Sequence, residues 1–336
     1  MLIDRERIAL ILPNRIGDAI LALPVVKCLQ ALFAADTERS LHLELFCSVP
    51  VCEIFAACGT VPVQPLSWAI KARSWRAPPL WVFCLVASSQ NFGFRGRRTG
   101  GLYQTNKRHV RYDEHLGFLQ NDPLEPGLWR YLREICQIPE YAARFFGIVS
   151  RLGYTVDQVA AAFPWDCAGL PYQRNLFNFR SPAAEPYLLC CPEAAYGSIR
   201  NTYRRWPFEQ YIALAKHVVT HSGATVAFIG LDPRPLISPH DRFLDLRGRL
   251  SVWELFQLAG GAAGYVGNDT GPLHIANLAG IPTLGIYTQD VFHSPLFGGR
   301  NTVVIKPADA QAAIPALTVL LASISGASGL LAELLG

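Results

Sequence analysis

The 336-residue chain is poor in charge: only 17% of its residues are Asp, Glu, Lys or Arg, while 51% are hydrophobic. A chain of that balance has ample apolar surface to bury, which excludes intrinsic disorder. It also lacks long apolar runs. The longest uninterrupted one, Leu80 to Ala87, is the length of a strand and falls well short of the roughly 20 residues that a membrane-spanning helix needs. Asp4 and Glu6 precede the first apolar segment, unlike the cationic start of a signal peptide. The 9 cysteines all lie between Cys28 and Cys191, and no two are spaced as in a zinc knuckle. Small buried thiols in a reducing compartment fit them better than a metal site, for which Cys47, Cys52 and Cys58 come nearest. A cytoplasmic protein is expected. The 27 Gly and 24 Pro follow no period, so a collagen-like or linker-dominated chain is excluded. Finally, no Asp-x-Asp pair occurs anywhere. An enzyme acting on a nucleotide sugar would then have to meet a departing diphosphate with protein donors, not with a carboxylate-held divalent ion.

The charge that is present is unevenly spread. Residues 1–175 carry 19 Lys and Arg against 15 Asp and Glu, whereas residues 176–336 are balanced at 11 of each. The excess comes from one window, 91–112, where Arg95, Arg97, Arg98, Lys107, Arg108 and Arg111 stand without an acid. This Gly-rich stretch, Asn91 to Tyr112, reads as a surface loop, and its charge suits an anionic partner, although a solvated loop has the same composition. Nucleic acid is not expected, because overall basicity is low and no recognition motif is present.

The length is that of about two domains, and the pattern repeats accordingly. Ile8–Leu12 is an apolar strand, followed by a polar elbow and a helical spacing of Val25, Val26, Leu29, Leu32 and Phe33 with Pro24 at its start. Leu41–Cys47 reads as an alternating strand, Cys52–Cys58 as a short helix, and Leu80–Ala87 as a buried parallel strand. Pro164–Pro186 is the candidate linker. The alternation then restarts: strand Tyr187–Cys191, helix Pro207–His221, strand Ala224–Ile229, and a capping box Ser251–Glu254 opening a helix to Ala259. Strand Gly264–Gly267, helix Gly271–Ala279 closed by Gly280, and strand Thr283–Tyr287 complete it, with two short helices expected in Ala308–Gly336. The fold class is α/β, with two doubly wound, Rossmann-like domains facing a cleft: residues 1–175, residues 176–310, and a helical tail at 311–336.

Doubly wound sheets bind ligands at the carboxyl ends of their strands, which singles out three loops. After the first strand, Gly17 leaves Asp18 near the sheet's mouth. A carboxylate there can act as a general base toward a hydroxyl, although by spacing alone helix capping has the better claim. The single glycine of this segment argues against a nicotinamide-binding fingerprint. The run Gly267-Asn268-Asp269-Thr270-Gly271-Pro272-Leu273-His274 places backbone N–H groups, a helix N-terminus and the Thr270 hydroxyl where a diphosphate could sit. Asp269 would repel phosphate, so sugar hydroxyls or the loop itself are its natural partners. His274 lies one turn in. Ordinary capping, with a surface histidine, is the plain alternative. Arg200, Arg204 and Arg205 precede Trp206-Pro207, and one of them could neutralise a diphosphate.

Three blocks, RIGDAILALPVVKCL, YRRWPFEQYIALAKH and LRGRLSVWELFQLAGGAAGYVGNDTGPLHIANLAGIPTLGIY, together resemble glycosyltransferase family 9, the heptosyltransferases of the bacterial lipopolysaccharide inner core. The resemblance implies a GT-B fold, with an acceptor-binding first domain, a nucleotide-sugar-binding second domain, inversion at the anomeric carbon and no required metal. Carried over, it makes Asp18 the base and Arg204, Asp269, Thr270, Gly271 and His274 the donor grip, with ADP-heptose as donor. The acceptor is expected to be an anionic glycolipid or other saccharide, and the charge of the basic window, not the resemblance, suggests that Arg95, Arg97 and Arg98 engage it at the cytoplasmic face of the inner membrane. The acidic residue that helps hold the nucleoside in this family has no assignable counterpart between Leu231 and His240. A sugar-nucleotide epimerase of the same fold and a non-catalytic nucleotide-sugar-binding protein are the competing readings.

Overall fold

The computed structural model describes residues 6–47, 49–85, 96, 98–104, 110–112, 124–163, 165–166, 186–193, 204–232, 236, 240–289 and 294–325. The chain divides into two compact units, Met1–Cys167 and Ala168–Gly336. The expected boundary at 175/176, and most of the expected linker, lie outside the described residues.

In the first unit, strands β1 (Glu6–Ile11), β2 (Leu41–Cys47), β3 (Val63–Pro65), β4 (Trp81–Cys84), β5 (Arg98–Gln104) and β6 (Val110–Tyr112) lie in the order β3-β2-β1-β4-β5-β6. All pair in parallel except β6, which runs antiparallel to β5. The helices are α1 (Ile16–Leu21), α2 (Leu23–Ala35), α3 (Cys52–Ala57), α4 (Trp68–Arg76), α5 (Pro126–Arg130), α6 (Glu140–Arg144), α7 (Gly147–Arg151) and α8 (Val156–Ala162), with a π-helical turn at Tyr131–Ile135. β2 does not alternate; its last five residues are all buried, as befits a parallel strand covered on both faces. Together, α1 and α2 make a stretch, Ile16–Ala35, long and apolar enough to cross a membrane by length and composition, yet most of it is buried inside the unit. A core helix passes the same test.

The window 91–112 is corrected by the structure. It is not simply a loop, because β5 and β6 occupy 98–104 and 110–112. Gly100 and Gly101 lie beside Phe83 and Cys84 of β4. Pairing with a buried strand outweighs the cost of glycine in a sheet.

The second unit repeats the winding. Strands β7 (Tyr187–Cys191), β8 (Thr225–Phe228), β9 (Phe243–Asp245), β10 (Gly264–Asn268), β11 (Thr283–Tyr287) and β12 (Asn301–Ile305) form an all-parallel sheet in the order β12-β11-β10-β7-β8-β9. The helices are α9 (Phe208–Ser222), α10 (Val252–Gly261), α11 (Gly271–Leu278) and α12 (Ala310–Ser325). The Ser251–Glu254 capping box forms as expected, each partner bonding the other's backbone N–H at 3.2 and 2.7 Å. The tail is a single helix as far as Ser325; Ala313, Leu317 and Leu320 form a stripe in one core with Tyr211, Leu214 and Val218 of α9. Residues 326–336 lie outside the described residues. Both sheets have the doubly wound order, so the chain reverses direction across the sheet between β1 and β4, and again between β7 and β10, where ligands of such sheets collect.

Most of the described cysteines are buried. Burial pushes the thiols of Cys84 and Cys191 up to about 12, which leaves them uncharged and inert at neutral pH.

Candidate functional site

β10 enters the switch point as a fully buried strand, and its geometry requires Gly267. A Cβ there would lie 2.4 Å from the Tyr265 hydroxyl and 2.7 Å from the Cys191 carbonyl oxygen. Without one, β10 packs directly beside β7, with Gly267 opposite Cys191. Asn268, wholly buried, then joins three segments. Its Nδ2 donates to the Pro192 carbonyl at 3.0 Å, and its Oδ1 accepts the Trp206 N–H at 3.3 Å. The asparagine therefore joins strand ends and does not cap a helix.

The cap position of α11 belongs to Thr270, in extended conformation, and its hydroxyl turns back to the Asn268 carbonyl at 3.3 Å. No side chain caps α11, and its first turn holds no acid. The orphan N–H groups and the positive end of the helix are thus uncompensated from within, as at anion-binding helix termini.

Beside this turn lies a buried ionic cluster. Asp269 is 8% exposed and His274 4%. Arg204 donates through Nη2 to the Asp269 carboxylate and, at 3.3 Å, to its carbonyl oxygen. His274 Nε2 lies 3.8 Å from the other carboxylate oxygen. Burial pushes the Asp269 carboxyl up, but His274 first and Arg204 after it more than offset this, and hold it below the ordinary aspartate range. His274 is therefore not a surface residue: it closes the back of the cluster, and among the described residues its Nδ1 has no hydrogen-bond partner. Arg204 commits one nitrogen to Asp269, and a guanidinium carries further N–H donors.

A second group at the carboxyl ends of β7, β8 and β9 escaped the sequence reading. Glu193, two residues past β7, accepts the Asp232 N–H. Gly230 adopts φ +122°, and a Cβ on it would lie 2.6 Å from Glu193 Oε1. Burial, reinforced by the charge of Asp232, pushes the Glu193 carboxyl up, although backbone N–H groups of Leu231 and Asp232 pull it back. Asp232 is 5% exposed. Beyond it, Arg247 makes a two-pronged bond to Asp245, at 2.8 Å on each side. An acid just past the second strand of a doubly wound sheet is where ribose hydroxyls are bound. The available signal was Asp232, two residues past a glycine that closes an apolar run.

In the first unit, Asp18 occupies the third position of α1, half-buried. The capping role expected from spacing does not hold: Arg15 takes the cap position, and no side chain bonds the helix end. Instead Asp18 faces Tyr141, whose hydroxyl is pushed up chiefly by burial and then by the Asp18 charge, against Arg15. Arg95, Arg97 and Arg200 lie outside the described residues; Arg98 begins β5 beside Trp81. Among the described residues, no group of three or more His, Cys, Asp or Glu could hold a metal ion.

A model of glycosyltransferase family 9 (heptosyltransferase) matches residues 137–311, just over half of the chain. Among solved structures, E. coli ADP-heptose lipopolysaccharide heptosyltransferase II is similar, with a TM-score of 0.65 and 16% identity over 94% of this chain and 99% of that one. E. coli heptosyltransferase WaaC with ADP gives 0.59 at 14% identity, again over 94% and 99%. A glycosyl transferase family 9 protein from Veillonella parvula gives 0.58 at 15%, over 91% and 87%. At such identities the likeness is one of fold, that of the GT-B heptosyltransferases. No protein of curated function matches the sequence.

Proposed function

The chain belongs to glycosyltransferase family 9, and we propose that it transfers a heptose from ADP-heptose to a lipopolysaccharide-core-type acceptor, with inversion at the anomeric carbon. The observation that supports this reading best is the start of α11: an uncapped helix N-terminus beside a guanidinium that Asp269 holds in place. In this reading the departing diphosphate is met by Thr270, the Gly271 end of α11 and the remaining donors of Arg204, without a metal ion. One such donor typically contributes roughly 100- to 1000-fold in turnover. Asp269 and His274 keep Arg204 oriented, and the acids Glu193 and Asp232 lie on the side where the nucleoside belongs. Asp18 takes the proton from the acceptor hydroxyl as it attacks. Arg95, Arg97 and Arg98 engage the anionic groups of a lipid-linked saccharide at the cytoplasmic face of the inner membrane.

The donor's identity is drawn from the family, and one titration tests it. Isothermal titration of the protein with ADP, UDP and GDP should rank ADP tightest; a preference for UDP would sink the ADP-heptose assignment.

A further inference from the structure

In the first unit, α4 carries an unusual face. Trp68 is 68% exposed and Trp75 is 53% exposed. Seven residues apart, they stand on the same side of the helix and about 10 Å apart along its axis. The opposite side is anchored: Ile70, with Leu66 just before the helix, packs against Ala9, Ile11, Phe46, Val82 and Cys84. The helix contains no acid. Lys71 is buried at 7% exposure, with its ammonium 4.7 Å over the Trp68 ring; Arg76 is exposed, and Arg73 reaches Glu44 at 3.1 Å. Glu44 also takes Arg7 at 3.4 Å, so this one carboxylate is shared between two guanidinium groups.

Two exposed amphipathic rings, with the exposed Arg76 next to the second and no acid on the helix, match an anionic bilayer surface, where tryptophan sits at headgroup level and basic side chains meet lipid phosphates. A second copy of the chain fits less well. Two tryptophans bury at most about 500 Å², against roughly 800 Å² per partner in a stable dimer. We infer that the Trp68–Trp75 face of α4 docks the protein on the anionic headgroups of a phospholipid bilayer. This rests on the reading that the acceptor is lipid-linked: docking holds the enzyme on the surface that presents its acceptor.

The test is co-sedimentation of the full chain with vesicles of equal parts phosphatidylglycerol and phosphatidylcholine, against phosphatidylcholine alone. The chain should bind the anionic vesicles, less so as salt rises. Trp68→Ser with Trp75→Ser should lower partitioning on the order of tenfold, and Arg76→Gln alone about fivefold. Val319→Ser, at an exposed apolar residue of the second unit, should leave it unchanged. Undiminished binding by both α4 variants overturns the inference. So does an absence of vesicle binding by the unaltered chain, or light scattering that shows the tryptophan pair changing only self-association. Transfer from ADP-heptose to a delipidated, water-soluble core saccharide should be equal in the unaltered chain and the tryptophan variant. Loss of that transfer in both would defeat the functional reading while leaving the vesicle result to stand alone.

Discussion

Replacing Asp269 by Asn tests the cluster that organises the proposed donor site. The substitution keeps the shape and removes the charge, leaving the Arg204 guanidinium without its carboxylate in a buried setting. Breaking a buried ion pair by removing one partner costs about 3 kcal/mol. For a unit of this size that corresponds to a fall of roughly 6–12 °C in the melting temperature at neutral pH. The pH dependence carries the sharper test. The Asp269 carboxyl is held below its ordinary value of 3.8 in the folded protein. Its stabilisation is therefore present in full above that value and is lost as pH falls through the lower, folded one. Melts of both proteins, compared at neutral pH and in steps down through the carboxylate range, should show the gap narrowing only on the acid side. Equal stability at neutral pH, or a gap that persists undiminished in acid, would refute the assignment of that stability to the Asp269 charge.

Asp18→Asn should abolish transfer to the acceptor while ADP affinity by isothermal titration stays near normal; full turnover in that variant removes the proposed base. Gly230→Ala should cost about 2 kcal/mol in thermal melts, because φ +122° is foreign to alanine and its Cβ would meet Glu193. Adding Glu193→Ala should recover the part due to the clash and leave the backbone part, and strict additivity of the two changes would contradict the packing described. Donor incubated with enzyme alone should remain unchanged when its sugar is analysed by NMR, whereas an epimerase would convert it.

Much of the second unit was legible before any coordinates. Tyr187–Cys191 and Thr283–Tyr287 are strands over the residues expected, and α10 begins at its capping box. The Gly267–His274 turn was likewise recognisable as a strand-to-helix loop rich in candidate ligands. These are local signals: apolar periodicity, a reciprocal cap three residues apart, and glycine and proline at defined positions.

Which partners the residues of that turn meet was decided at longer range. Asn268 joins β7, β10 and the Trp206 segment because parallel pairing brings residues 192, 206 and 268 to one sheet edge. Arg204 finds Asp269 across 65 residues of sequence. His274 was as compatible with the surface as with the interior until the packing of α11 buried it. Glu193 brackets a turn 39 residues away, and the strand at 98–104 exists because β4 offers an edge to pair with. Periodicity and caps depend on neighbours within a turn or two of the chain, so they can be read from the sequence. Partners for a buried charge, or for an unpaired strand edge, are set by the order in which the strands assemble, and only the folded sheet holds that information.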